Sequence, residues 1–318
     1  MELTSTFMAL LELFRPMFTA PSHCTFRLLM TGWILSVRHR YVTDLIISSD
    51  SVGHGHFSDY HRFFSHAKWK IDDLWKQLAR LLFDQFVGPD AVIILAGDDT
   101  LCRKRGLGLF GAGMHHDPLI SSRAMKLVSW GHDWVNLCLI IVNPWWAPGK
   151  VFALPICMRL YRNKQGVTTG KAKPKGGTKK KPAPSTKRQK KQAKRAQRKK
   201  RTVAAQRKQA ANRDKTSAQA HRTRPKLMRE MLQLVAAWFP ESRFLFVADS
   251  LYTGESVLKY LPENVDMIGA VHPNGALYER APKKQSGRGA PRKKGKRLPT
   301  LERWAASRTP WNAITYDQ

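Results

Sequence analysis

Near the middle of the chain lies a stretch from which no core can be built. Residues 171 to 226 hold 23 lysines and arginines, a single acid (Asp214) and almost no large apolar residue. Such a segment buries too little apolar surface to offset the entropy of ordering it, so it reads as disordered or loosely helical on its own. Any folded unit must therefore be assembled from what lies on either side. The flanks can supply it: hydrophobic residues make up 42% of the 318 and aromatics 10%, enough for one large domain or two ordinary ones.

Charge then narrows the partners. The chain carries 55 Lys and Arg against 23 Asp and Glu, a formal net charge of +32. A chain so charged repels itself unless a polyanion offsets it, with nucleic acid the first candidate and an anionic membrane surface the second. The central segment reads as an arm laid along phosphates in preference to a solvated linker, because each neutralised phosphate releases counterions. Its expected DNA contacts are Lys179, Lys180, Lys181, Lys190, Lys191, Arg198, Lys199, Lys200 and Arg201. The cysteines Cys24, Cys102, Cys138 and Cys157 are far apart, a spacing that suits neither a disulfide framework nor a zinc finger. Glu2 stands where a signal peptide would be basic. The apolar stretches Leu28–Val37 and Leu137–Val142 are too short to span a bilayer. The expectation is a soluble, cytoplasmic chain with no membrane partner.

Residues 1 to 87 read as helical, by period and by the scarcity of strand-like alternation. Phe7–Phe14 and Phe26–Val37 carry helical apolar repeats, Ser58 or Asp59 could cap a helix over Tyr60–Ser65, and Ile71–Phe86 places Ile71, Leu74, Leu78, Leu81 and Leu82 on one face. The pattern changes at Gly88-Pro89. Ala91–Ala96 reads as a buried strand running abruptly into Gly97-Asp98-Asp99-Thr100. Trp134–Val142 and Val151–Leu160 read as a hairpin, with turn residues from Asn143-Pro144 to Pro148-Gly149. Beyond the basic segment, Leu227–Phe239 reads as a helix opened by Pro225 and stopped by Pro240. Arg243–Ala248 is a second buried strand ending on an acid, Asp249; a short helix over Glu255–Leu261 and a strand over Asp266–Val271 follow. The expected divisions are a helical region 1–87, the two halves of a core at 88–170 and 227–280, the basic insertion 171–226 between them, and the start of a further subdomain at 281–318.

The informative feature is the pair of strands that each run into aspartate, I-I-L-A-G-D-D-T and F-L-F-V-A-D-S. Carboxylates on neighbouring strands can converge on one or two divalent cations, and hard oxygen ligands suit Mg2+ or Mn2+. Two such ions about 4 Å apart can activate a water or a 3′-hydroxyl and stabilise the leaving oxygen at phosphorus. An aspartate after a buried strand is also a common turn former or helix cap. The order of elements favours the metal: strand with acid, hairpin, helix, strand with acid, helix, strand. That is the order of an α/β, ribonuclease H-like mixed sheet with flanking helices, preceded here by an all-helical region and interrupted by the basic insertion. Arg103, Lys104 and Arg105, just past the first acid, could hold a phosphate near the metals or form a basic turn. His115, His116, Asp117, His132 and Asp133 form an acid–histidine cluster that reads as structural or DNA-contacting, since no cysteine joins it.

The blocks G-D-D-T-L-C-R-K-R-G, F-G-A-G-M-H-H-D-P, S-W-G-H-D-W-V and F-V-A-D-S-L-Y-T-G resemble the DDE transposases of bacterial insertion sequences. The likeness covers most of residues 55–318 apart from the basic segment. It implies cleavage of DNA at the terminal inverted repeats of an element and strand transfer into target DNA by the freed 3′-hydroxyl, at a Mg2+ or Mn2+ site, in a homodimeric synaptic complex at the bacterial nucleoid. It implies Asp98 as the first catalytic acid and metal ligand, with Asp99 the alternative, and Asp249 as the second. A third acid, a glutamate on a helix after the fifth strand, has no match in Glu255, Glu279 or Glu302, so the expectation is that the chain stops at Gln318 before that helix and that its strand chemistry is impaired. A non-catalytic nucleic-acid-binding protein, with the basic arm as its working part, is the other reading.

Overall fold

The computed structural model describes residues 2–37, 39–106, 108–122, 124–163, 221–271, 275–281 and 294–307. Its centre is a six-stranded mixed sheet built around β1 (Ile93–Arg103). On one side β1 pairs antiparallel with β3 (Val128–Val142); on the other it pairs parallel with β5 (Phe244–Ala248), which pairs parallel with β6 (Val265–Gly269). The far edge of β3 is shared: β2 (Gly113–His116) takes Val128–Gly131 and β4 (Val151–Tyr161) takes Asp133–Val142. Three antiparallel strands followed by two parallel ones are consistent with the ribonuclease H-like layout expected from the order of elements.

The β3–β4 hairpin turns at the expected place. Asn143 and Gly149 both adopt positive φ there, as a tight reversal requires. Two strand expectations change. The first strand does not stop at Ala96; it continues through Asp98 and Asp99 to Arg103, because β3 goes on supplying backbone partners from Leu95↔Leu139 to Arg103↔Gly131. The four-residue β2, which its Gly- and His-rich sequence does not announce, forms because the long β3 leaves an edge to be paired.

Eight helices lie among the described residues, with a 3-10 turn at Arg15–Met17. Four of them, α1 (Glu2–Glu12), α2 (Ala20–Leu35), α3 (Val42–Ser48) and α4 (Phe57–Ser65), make up most of the N-terminal region, and α2, α3 and α4 share a small core of Leu29, Leu45, Ile46, Tyr60 and Phe63. α4 starts earlier than expected: His56 is its N-cap, accepting from the Ser58 amide, whereas Ser58 and Asp59 lie inside the helix. α5 (Ile71–Phe86) has the expected length but a rotated face. Ala79 and Phe83 are buried with Trp75, Leu82 and Phe86 against them, while Ile71 is half exposed, because large aromatics fill the groove over the sheet better than the leucine stripe.

α6 (Arg224–Trp238) carries Pro225 in its first turn and is capped by Thr223, whose hydroxyl accepts from the Lys226 amide. It lays Leu227, Met228, Met231, Leu232 and Val235 onto the same sheet face as α5, over Leu95, Leu137, Leu139 and Phe246. α7 (Glu255–Leu258) and α8 (Leu301–Ala305) are short. No helix of the described residues is long and apolar enough to cross a membrane. All four cysteines are free thiols, and burial pushes the Cys157 thiol up to about 11.

Gly131 is where the sheet tolerates no side chain. It pairs with Arg103 on one edge and Gly113 on the other, and a Cβ there would sit 2.3 Å from the Cys102 carbonyl oxygen. Gly131→Ala must open the β1–β3 ladder at its Arg103 end, and a loss of about 1–3 kcal/mol is expected in denaturant unfolding.

Candidate active site

Successive side chains of a strand leave opposite faces, so Asp98 and Asp99 cannot share a site. Gly97, one residue earlier, faces the helices; a Cβ on it would meet Met228 and the Phe246 ring at 2.6 and 2.7 Å. Asp99 shares that face and is half-buried. Asp98 is exposed on the opposite face, where Ala96 and Asp98 of β1 lie beside Asn136 and Cys138 of β3. The Cys138 thiol is pushed up by burial and by the negative charge of Asp98. Asn136 Nδ2 donates to Thr100 Oγ1 at 3.0 Å on the same face. Asp98 Oδ1 accepts from the Asp99 amide at 2.7 Å, and neither Asp98 nor Asp249 forms an ion pair among the described residues.

Asp249 follows the last paired residue of β5. The parallel register ends at Gly97↔Ala248, so Asp98 and Asp249 are the next residues on adjacent strands, whose backbones lie about 4.8 Å apart in such a sheet. Here the chain leaves the sheet in a turn: Asp249 Oδ1 accepts from the Leu251 amide at 3.0 Å and the Asp249 carbonyl accepts from the Tyr252 amide at 3.2 Å. One acid is therefore held inside a strand and the other in a turn, and not both at strand tips as the sequence pattern suggested.

Beneath this pair, on the helix side, lies a partly buried polar network. Tyr252, with no exposed surface, donates its hydroxyl to Asp99 Oδ1 at 3.3 Å. Arg224, the first residue of α6, brings Nε to 3.3 Å from Asp99 Oδ2 and 2.8 Å from Asp133 Oδ2, and its Nη2 also donates to Asp133. The guanidinium lies 4.6 Å above the Tyr161 ring. Buried His115 sets Nδ1 3.4 Å from Asp133 Oδ2. Burial raises the Asp99 carboxyl above its ordinary value, against the opposing pull of Arg224. The Tyr252 phenol is pushed far up by burial and by the adjacent Asp99 charge, so it stays a donor.

The family model described as DDE superfamily endonuclease matches residues 13–318. The chain belongs to that family. The match begins well before the motif blocks around Asp98 and Asp249, so it takes in most of the N-terminal helices as well as the sheet. Family membership points to a metal-dependent nuclease with DNA as substrate. No curated protein and no solved structure matches the chain.

Within this member of the family the other sequence candidates scatter. Arg103 is engaged in a two-pronged pair with buried Asp117, Nε to Oδ2 at 2.6 Å and Nη2 to Oδ1 at 2.9 Å, which ties β1 to the 117–127 loop. Lys104 and Arg105 are exposed just beyond it. The acid–histidine cluster divides three ways: His115 with Asp133, Asp117 with Arg103, and His132 Nε2 at 2.9 Å from the Phe110 carbonyl. Among the described residues no group of three or more His, Cys, Asp or Glu side chains could hold a metal ion. Glu255 opens α7 and Glu302 lies in the first turn of α8, both exposed, and exposed Glu279 adjoins the isolated bridge between Tyr278 and Arg297. Lys179, Lys180, Lys181, Lys190, Lys191, Arg198, Lys199, Lys200 and Arg201 lie outside the described residues. Arg224 and Tyr252 were missed from sequence. Only Tyr252 carried a signal, three residues after Asp249 in the block F-V-A-D-S-L-Y-T-G.

The Arg103–Asp117 pair has a consequence for acid stability. Hydrogen bonding to Arg103 holds the Asp117 carboxyl well below the usual carboxylate range. A depressed folded-state value adds stability above the unfolded value, and that stability is lost as pH falls through the folded one. Asp117→Asn should therefore lower the unfolding midpoint at neutral pH and bring the mutant and wild-type curves together at strongly acidic pH. Parallel curves at all pH values would show that the pair contributes nothing.

Proposed function

We propose that this DDE endonuclease is a transposase of the insertion-sequence kind, cleaving DNA at element ends and joining it to target DNA, with Asp98 and Asp249 as its metal-holding acids on a ribonuclease H-like fold. The observation that carries the reading is the register Gly97↔Ala248, which makes Asp98 and Asp249 neighbours at the point where β5 leaves the sheet. Asp98 is preferred to Asp99 because it is exposed and outside any ion pair among the described residues, whereas Asp99 is half-buried beside an arginine. Exposed carboxylate oxygens suit Mg2+ or Mn2+, and Mg2+ is commonly held by one or two carboxylates, with water and substrate phosphates filling the remaining positions. When bound, the ions would supply activation of a water or 3′-hydroxyl and charge stabilisation on the leaving oxygen.

This chain's own residues would supply the rest. Asp98 and Asp249 orient the metal oxygens, Lys104 and Arg105 stand exposed past the first acid where a phosphate could be held, and the basic segment 171–226 binds the DNA backbone without reading sequence. The topology supports that role for the segment: β4 runs parallel to β1 and ends at Tyr161, level with Asp133 and Leu101, and the chain returns at Arg224, whose guanidinium covers Tyr161. Both stems of the insertion thus stand at the end of the sheet that carries the acids. Terminal repeats and target DNA as substrates, a homodimer as the synaptic unit and a nucleoid location belong to the same proposal, as does a third acid not assigned to this chain.

With two acids assigned, turnover is expected to be slow, so the sensitive assay is nicking of supercoiled plasmid by excess protein in Mn2+. Nicking should disappear in Asp98→Ala and Asp249→Ala while both variants still bind DNA. Binding that persists with no metal-dependent cleavage attributable to either acid would instead favour a non-catalytic binding protein. Deleting residues 171–220, which spares the Thr223 cap and the Arg224 clamp of α6, should weaken DNA binding without sequence preference and flatten its salt dependence by roughly 0.9 in log–log slope for each phosphate no longer neutralised. An unchanged slope would make the segment a linker.

A further inference from the structure

Two carboxylates on different strands hold a cation well only if their separation is fixed. The backbone ladder between β1 and β5 ends at Gly97↔Ala248, one residue short of the pair, so hydrogen bonding within the sheet does not fix Asp249 against Asp98. The connection that does lies on the other face. Asp249 and Tyr252 form one closed turn, through the Tyr252 amide to the Asp249 carbonyl at 3.2 Å and the Leu251 amide to Asp249 Oδ1 at 3.0 Å. The fully buried Tyr252 then reaches back across the strand gap, and its hydroxyl donates to Asp99 Oδ1 at 3.3 Å. Asp99 is the residue that follows Asp98, so a displacement of its side chain passes through one peptide unit to Asp98. Its second oxygen is held 3.3 Å from Arg224 Nε, and Arg224 is anchored on Asp133 of β3.

We propose that Asp99 is a positioning residue and not a metal ligand, and that the Tyr252–Asp99 hydrogen bond is the strut that sets the separation of Asp98 and Asp249. The inference rests on the reading of those two acids as the metal pair. Asp99 is unsuited to a cation for reasons of its own. One oxygen already accepts from Tyr252 and the other faces a guanidinium, which repels a divalent ion. Its side chain also leaves the sheet on the face opposite Asp98. Of these two oxygens the strut needs the one that accepts from Tyr252; the other meets Arg224.

The test is titration of Mn2+ alone into the full-length chain, followed by calorimetry, with far-UV circular dichroism and the unfolding midpoint as controls. Tyr252→Phe removes one hydroxyl and leaves the ring to fill its site, so folding should persist while Mn2+ affinity falls about tenfold, as is usual when the support of a ligand is removed. Asp99→Ala should do the same. Asp99→Asn keeps an oxygen for Tyr252 and should bind Mn2+ close to wild type, whereas a true ligand would not tolerate the change. Asp98→Ala and Asp249→Ala should lose the ion. If Asp99→Asn loses Mn2+ as fully as Asp98→Ala, Asp99 is a ligand and the inference falls. Wild-type affinity in Tyr252→Phe, with Asp98→Ala still defective, removes the strut and leaves the metal pair standing. Undisturbed binding in both Asp98→Ala and Asp249→Ala removes the metal pair, and the strut with it.

Discussion

The constraint on which the rest of the architecture depends is the unequal pairing of β1. Its antiparallel ladder with β3 runs from Leu95 to Arg103, while its parallel ladder with β5 stops at Gly97. Past that residue β1 is held from one side only. This is what leaves Asp98 fixed in extended backbone while Asp249 enters a turn, and it opens the gap that Tyr252 bridges. A β5 two residues longer would have paired Asp249 into the sheet and left no turn for Tyr252 to close.

The helix side of the sheet shows how much charge such a site can bury. Asp99 and Asp133 both lie against Arg224, with His115 beside Asp133 and the Tyr161 ring beneath the guanidinium. Asp133 is buried while Arg224 and Asp99 keep 26% and 29% of their side chains exposed, so these pairs gain little net stability, because desolvation offsets the Coulombic gain. Such a network therefore favours one arrangement over its neighbours more than it deepens the fold. Here that arrangement joins β1, β3, the start of α6 and the turn after β5. Arg224 is also the first residue of α6, at the close of the basic segment, so the element that follows the insertion is clamped to the residue next to Asp98.

Much of this was legible in the residues. Apolar runs flanked by glycine, proline and acids located β1, β5 and β6, the turn residues between Val142 and Val151 located the hairpin, and Pro225 with Pro240 bracketed α6 to within a few residues. Where the reading went astray, tertiary pairing had overruled a local signal. G-D-D-T has the composition of a turn but is strand, because β3 extends alongside it. The leucine stripe of α5 gave way to Trp75, Ala79 and Phe83 because the groove over the sheet takes aromatics. Of His115, Asp117 and Asp133, one cluster in sequence, His115 and Asp133 meet across β2 and β3 while Asp117, past the end of β2, pairs with Arg103 instead.

Local chemistry alone settled which segments are strands and helices, that acids follow two buried strands, and that a strongly basic segment divides the core. Each of these depends on side chains within a few residues of one another. That the strand runs on through Asp98 and Asp99, so that the two face apart, came only from its pairing with β3. Which of them faces the helices was decided only in three dimensions, because that depends on the register of β1 against β3 and β5 and on which face α6 covers. Tyr252 and Arg224 meet at Asp99 from positions 153 and 125 residues away in the chain. Interactions over such separations leave no periodic trace in a single sequence, and the folded sheet brings them together.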